Sequence, residues 1–437
     1  MRLIRFYLRS FFFSFIDTWP SAIAVLLSMA LGMSIFVSAL LLYRAVAFNP
    51  LSEINDTIFL LQIDHWSTSS DYDYGDTLPR YLSYTDASAL AASELTPATA
   101  LMYQTGGNIT ADSARLHVST PARATSSGFF SVFPVSFLFG GAWSSSDDKN
   151  KKHVVVLSKE LNDRLFQGKN SVGEEVIFVD QVYEVVGVLD TWSPKPKVHD
   201  LGTGPFGYQD GLYLPFELAI ENKLGSWGSF ESWQGRVHYN TFDKLVHSET
   251  GWLQLWLYFP DRAAKMKYQE FLTNYIARQI TLGRPFRSER FELKTPDQVL
   301  KMYRVVNNTI VLTFLSSSVF LLLCFVNSTM LVFVRQQHIS FRVGLHRALG
   351  ARNTEVLWRF VLEALVFSVS SMLLALLLSP LFVSVLKKLP GGQLDVRYAS
   401  MDLLLLISAL CLCAFLVVFI PMTLLLSKKP AQLLRGA

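Results

Sequence analysis

An integral membrane α-helical protein with four transmembrane helices, and a large α+β extracytoplasmic domain between helices 1 and 2, is the fold class this sequence predicts. Three observations predict it. Of the 437 residues, 51% are apolar and only 17% are charged, well below the roughly 25% charged of soluble domains. The apolar residues gather into four runs, each long enough to cross ~30 Å of hydrocarbon. Between the first and second runs lies a long polar stretch whose short β-rich segments alternate with helical patterns.

Residues 1–19 carry Arg2, Arg5 and Arg9 among Leu, Ile and Phe, with Asp17 as their acid. At helical spacing this is a basic amphipathic segment lying on the cytoplasmic face. Basic-then-apolar is also the order of a secretory signal peptide, but the run over 22–42 is long enough to span and no small-residue cleavage site precedes Arg44. It is therefore read as a retained first span (20–46). Within it Ala24, Ser28 and Gly32 recur at four-residue intervals, a small-residue face that permits close TM1 helix packing.

The chain is then external over 47–304. The second span is expected over 305–334, the third over 357–386 and the fourth over 403–427, with a short external loop at 387–402 and a tail at 428–437. Orientation follows from the cations. Arg335, Arg342, Arg347 and Arg352, with His338 and His346, precede the first acid, Glu355, and fill the stretch 335–356 between spans two and three. Such a loop is cytoplasmic by the positive-inside rule. Lys428, Lys429 and Arg435 return the C-terminus to the same side as the N-terminus. Lys387 and Lys388 count against this slightly and are outvoted.

The spans offer no conduit. Deep ionisable residues would mark one; Arg359 and Glu363, four apart near the start of the third span, are expected to pair with each other. Cys324, Cys411 and Cys413 all fall in apolar runs, so no disulfide framework is implied.

In the external domain, TIFLLQI (57–63), HVVVLS (153–158), EVIFV (175–179), VYEVVGVL (182–189) and GLYLPF (211–216) read as strands. Residues 85–93, 159–166 and 262–279 read as helices, the first with Thr85 as N-cap. The domain is expected to hold two subdomains, the β-rich one at about 126–190. Thr295-Pro296-Asp297-Gln298 is a capping box with Pro at N1. With neither Pro nor Gly after it, one helix is expected from 296 through 334 as a stalk and span of about 39 residues, roughly 58 Å.

No sequence matches a Gly-rich phosphate loop, HExxH or GxSxG. His65, His117, His153, His199, His238 and His247 are dispersed without ligand spacing, so neither a catalytic residue nor a metal site is expected. Trp192, Trp227, Trp233, Trp252 and Trp256 crowd one region and read as core. Basic residues do not cluster outside, which excludes nucleic acid.

Two regions and the tail resemble a known family. Gly128-Phe129-Phe130, Gly140-Gly141 and HVVVLSKELNDRLFQGKNSVGEEVIFVDQVYEVVGVLD (153–190) form the first, and GLHRALGARNTEVLWRFVLEA (344–364) the second. Pro421 and the closing Pro430-Ala431-Gln432-Leu433-Leu434-Arg435 add to them. Together they are similar to the MacB/FtsX-type permeases of ABC transporters, which include the macrolide-exporter and lipoprotein-releasing permeases. The sequence departs from the family where Arg342-Val343 replaces Glu-Ile on the approach to the Gly344 run.

The resemblance implies a non-catalytic permease in the bacterial inner (plasma) membrane that works by mechanotransmission. An ABC ATPase on a separate subunit would bind ATP and Mg; the chain itself takes no cofactor. Val343, Gly344, Leu345, Arg347, Leu349, Gly350, Ala351 and Arg352 would couple to that ATPase. Val343, Leu345 and Leu349 are expected to form the apolar face covered by a partner or the bilayer, with Gly350 breaking the helix and the arginines touching lipid headgroups. Further implied partners are a second permease protomer (a homodimer or a related permease), a periplasmic adaptor and an outer-membrane channel. Export or extraction of a drug, peptide, toxin or lipoprotein is the leading reading. The alternative is a regulatory mechanotransmitter that activates a cell-wall hydrolase or sensor kinase; the large insert counts against it, because division-type members have a far smaller one.

Overall fold

The computed structural model describes residues 18–67, 78–93, 95–96, 98–111, 117–200, 202–233, 240–284, 286–386, 401–424 and 426. The basic segment at 1–17, most of the 387–402 connection and the tail lie outside the described residues, as does His238. The chain divides into two compact units, Phe48–Val305 and the pair Met1–Ala47 with Val306–Ala437.

In chain order the longer helices are α1 (Trp19–Ala47), α2 (Tyr84–Ala91), α3 (Lys159–Phe166), α4 (Arg262–Thr281), α5 (Pro296–Met302), α6 (Asn308–Ala348), α7 (Asn353–Leu386) and α8 (Met401–Leu424). The strands are β1 (Ile58–Ile63), β2 (Ala98–Ala111), β3 (Val118–Thr125), β4 (Phe137–Gly140), β5 (Val154–Leu157), β6 (Glu175–Phe178), β7 (Gln181–Leu189), β8 (Leu212–Pro215), β9 (Gln254–Tyr258) and β10 (Phe291–Lys294).

Among the described residues ten strands form one sheet, nine of them in the order β10-β1-β9-β2-β3-β8-β5-β7-β4, with β6 off this path against β2 and β7. The long β2 organises it. Its first residues pair with β9 and its last with β6, while β3 runs along its other edge. Because β6 also pairs with β7, the path β2-β3-β8-β5-β7-β6 returns to β2 and closes a six-stranded ring, which removes sheet edges that would otherwise invite pairing. Alternate residues of these strands, among them Tyr103, Ile109, Ala122, Val155, Leu157, Val176, Phe178, Tyr183, Val185 and Leu212, are buried in one apolar cluster. This is the period-2 pattern of a sheet with a packed face. The residues between them, with Phe129, Phe133, Trp143 and Trp256, form a second cluster. The β-rich segment at 126–190 therefore does not stand as a separate subdomain: β5 pairs with β8 and β6 with β2, both from outside it.

A neutral set of four charges is buried in this unit. Arg123 meets Asp210 at 2.6 Å and Asp200 at 2.9 Å, and Lys197 meets Asp200 at 2.8 Å. Burial alone would raise both carboxyls, yet the Arg123 and Lys197 charges hold them below the usual carboxylate range. His199 beside them is buried among Phe129, Phe133 and Trp192. Burial, reinforced by Arg123 and Lys197, pushes its ring down to about 3.

The structure corrects two local expectations. The N-cap of α2 is Ser83, whose hydroxyl accepts from the Asp86 amide, while Thr85 lies inside the helix. The capping box at Thr295 and Gln298 is present, but the helix it opens ends at Met302. Arg304 adopts a left-handed φ of +49°; the Arg304 amide donates to Lys301 and the Val305 amide to Leu300, the hydrogen bonds of a Schellman stop. Asn307 then caps a new helix by accepting from the Ile310 amide at 3.0 Å. The stalk and the second long helix are thus two helices, not a single rod. No Gly or Pro announces the stop, because here an arginine accepts the left-handed conformation.

Candidate coupling hairpin

Helices α1, α6, α7 and α8 contain the four candidate membrane spans, each long and apolar enough to cross a bilayer. On α6 the side chains of Leu312, Leu315, Val319, Leu322, Leu323, Val326 and Met330 are all more than half exposed. They recur every three or four residues and so make one continuous apolar stripe, of the kind that hydrocarbon covers.

Helix α1 packs against both α6 and α7. A Cβ added at Gly32 would sit 2.7 Å from Cys324 Cβ, and the Ser28 hydroxyl donates to the Cys324 carbonyl at 3.3 Å. Two of the three small residues at four-residue spacing thus lie where α1 meets α6, and Ala24 is half-buried. Further along, the Ser38 hydroxyl donates to the Ser379 carbonyl on α7 at 3.2 Å.

The cationic stretch is mostly helix. α6 continues without interruption to Ala348, and the reversal falls at 349–352. Leu349 closes the helix and Gly350 takes φ +99°; the Gly350 amide donates to Arg347 and the Ala351 amide to His346. This is again a Schellman motif, with glycine where the left-handed residue must be. His346 and Arg347 occupy the last turn of α6, where cations favour the negative end of the helix dipole. α7 opens as Glu355 accepts from the Arg352 amide at 3.3 Å. Leu349 is 78% exposed at the tip, with Leu345 and Phe341 exposed behind it and Trp358 exposed on α7. Arg347 and Ala351 are half-buried and Arg352 is exposed.

Val343 departs from the expected apolar face. It is 1% exposed and packs inward with Val332, Ile339, Val356, Phe360 and Ala364, and Gly344 is buried too. The outward face is Phe341, Leu345 and Leu349, four residues apart.

At the base of this hairpin lies a feature the sequence reading missed. Arg335 Nη1 contacts Glu363 Oε1 at 2.6 Å, with both side chains 1% exposed. Arg335 Nε donates to the Thr18 hydroxyl at 2.8 Å, just ahead of α1, and the guanidinium lies 5.0 Å from the Phe367 ring centre. Glu363, expected to meet Arg359 one turn before it on the same helix, thus pairs with Arg335 across helices. The available signal was the presence of one acid and one arginine inside otherwise apolar helical runs, each needing a partner. The sequence places Arg335 first in the cationic stretch 335–356, where nothing marks it as buried.

Of the histidines, His65 and His199 are buried, while His117, His153 and His247 are exposed. Among the described residues no group of His, Cys, Asp and Glu is placed to hold a metal ion. Of the tryptophans, Trp252 and Trp256 are core residues, whereas Trp227 is 51% exposed and lies over Gly106.

A sheet-rich domain joined to long apolar helices, two of which meet in an exposed cationic hairpin, defines a class. The MacB-like periplasmic core domain matches residues 22–245 and the FtsX-like permease C-terminal domain matches residues 312–430. The chain belongs to the MacB/FtsX-type ABC transporter permease family. Among its relatives are the macrolide export ATP-binding/permease proteins MacB of Salmonella paratyphi A and Salmonella typhi, each 25% identical over 347 residues. The match covers 75% of this chain and 46% of each relative, so the chain spans about half the length of the curated relatives it matches. Among solved structures, the periplasmic region of MacB from Actinobacillus actinomycetemcomitans aligns with a TM-score of 0.36 and 14% identity, over 60% of this chain and 98% of that one. The extracellular domain of the ABC-type transporter YknZ from Gram-positive bacteria aligns with a TM-score of 0.33 and 12% identity, over 55% and 100%.

Proposed function

We propose that this chain is the permease subunit of an ABC-type mechanotransmission transporter. An ATPase carried on a separate subunit binds ATP and Mg, and docks on the 349–352 turn. Its closure moves the hairpin, and the movement reaches the periplasmic domain, which exports or extracts a drug, peptide, toxin or lipoprotein without passing it through the spans. The protomer works beside a second permease, and a periplasmic adaptor and outer-membrane channel complete the path. The chain lies in the bacterial inner membrane with both termini in the cytoplasm.

The observation that carries this reading is the hairpin tip. Leu349 is 78% exposed on a turn fixed by Gly350, behind it stand Leu345 and Phe341, and Arg347 and Arg352 flank it. Exposed apolar residues on a rigid, charged support are what a partner's surface covers. Movement cannot pass along one continuous helix, because α5 and α6 are separate. On this reading it is carried by the chain connections between the units, at 47–48 and 303–307.

The test is which proteins co-purify with the full chain in mild detergent. An ABC ATPase with an adaptor or outer-membrane channel is the expected result. An ATPase with a cell-wall hydrolase or kinase, and no adaptor, would overturn the export reading.

A further inference from the structure

We propose that Arg335 and Glu363 are positioning residues for the coupling turn: their buried pair clamps the base of the 336–362 hairpin, so that α6, α7 and the start of α1 move as one body. This deepens the coupling reading above and rests on it for its purpose, though not for its geometry.

Stability alone does not account for the pair. Exchanging a buried ion pair for apolar side chains of similar volume is often neutral or stabilising, and the same helices already supply a buried apolar cluster that includes Val332, Ile339, Phe360, Ala364 and Phe367. What the charges add is direction. The planar guanidinium engages three elements at once: Nη1 the carboxylate on α7, Nε the Thr18 hydroxyl ahead of α1, and its face the Phe367 ring. An apolar seam lets helices slide by small steps, whereas this arrangement does not. Sliding α6 along α7 by a single residue moves it about 1.5 Å, enough to break a 2.6 Å contact and leave a charge uncompensated in an apolar core. Moving the hairpin as a body leaves all three contacts intact.

The position fits this role. The apolar part of α6 gives way to the cationic part around Arg335, so the clamp stands where the hairpin leaves the four-helix unit. Beyond it, Val343 and Val356 continue the inward seam toward the turn. A displacement imposed at Leu349 is then delivered to α1 and α7 instead of being absorbed by bending between the two arms.

The test is the distance distribution between spin labels at Leu349 and Ile23, both exposed, in the full chain in lipid nanodiscs with Cys324, Cys411 and Cys413 replaced by Ala. A second label pair at Leu27 and Leu322 reports whether α1 and α6 remain packed. The unaltered pair is expected to give one narrow distribution. Glu363→Gln is expected to broaden it at least twofold with the control distance unchanged, and the exchange Arg335→Glu with Glu363→Arg to narrow it again. Arg335→Lys keeps the charge but loses the fork, and is expected to broaden it less. This variant serves as the test if Glu363→Gln shifts the control distance. A distribution that stays narrow in Glu363→Gln and Arg335→Lys, or an exchange no narrower than Glu363→Gln, overturns the clamp. None of these measurements involves an ATPase. A clamped hairpin that binds no ATPase would sink the coupling reading alone, and an unclamped hairpin that binds one would sink the clamp alone.

Discussion

Single residues set the helix stop just before α6 and the one that ends it, and they do so differently. Gly350 holds φ +99° and Arg304 holds φ +49°. Glycine reaches the left-handed region without steric cost, whereas a side chain there costs about 1–2 kcal/mol. Arg304→Gly should therefore raise the free energy of unfolding by up to ~1 kcal/mol, offset in part by the freer unfolded chain; chemical denaturation of the full chain in detergent measures it. Gly350→Ala should lower it by ~1 kcal/mol, although open space surrounds that position. The close approach at Gly32 predicts a larger loss. Gly32→Val forces atoms into the space Cys324 occupies, and such overpacking typically costs ~1–3 kcal/mol.

Much of the element pattern was legible in the sequence, for reasons particular residues make plain. The strand at Ile58–Ile63 follows from a short, mostly apolar run, and the helices Lys159–Phe166 and Arg262–Thr281 have Ser158 and Asp261 as caps. Two of the strands that escaped look polar or broken. β2 carries Gly106-Gly107 and Asn108 in its middle, and β3 carries Pro121, which reads as a turn unless the pairing partners are known. The Arg335–Glu363 pair escaped because its two members stand far apart in the sequence. The stop at Arg304 escaped because Schellman geometry normally announces itself with glycine. In contrast, Leu-Gly-Ala-Arg at 349–352 could be read as a helix break because Gly350 stands between two strong helical patterns.

For the whole molecule, the external unit carries a built-in dependence on pH. His199 is held neutral, with its folded-state value near 3, and burial likewise lowers His65. Each is depressed below the ordinary histidine value of about 6.5. The stability that they contribute is fully present above that value and is lost as the pH falls toward the folded one. Asp200 and Asp210 are depressed as well, and their contribution disappears below about pH 4. Thermal unfolding of the full chain in detergent should therefore move to lower temperature between pH 7.5 and pH 5. His199→Phe should reduce that shift, leaving the share due to His65; an undiminished shift would show that His199 is not its source. The external unit is thus organised by one sheet, six strands of which close into a ring, with an apolar cluster on each face.

The tip of the hairpin is where docking of an ATPase can be read directly. A photo-crosslinking residue at Leu349, in membranes of cells making the full chain, should form a covalent adduct with an ABC ATPase on illumination. The same residue at Leu377, which is 75% exposed in the middle of α7, should form none. Absence of the adduct at Leu349, or an equal yield at Leu377, would contradict the assignment of residues 349–352 as the place where force enters.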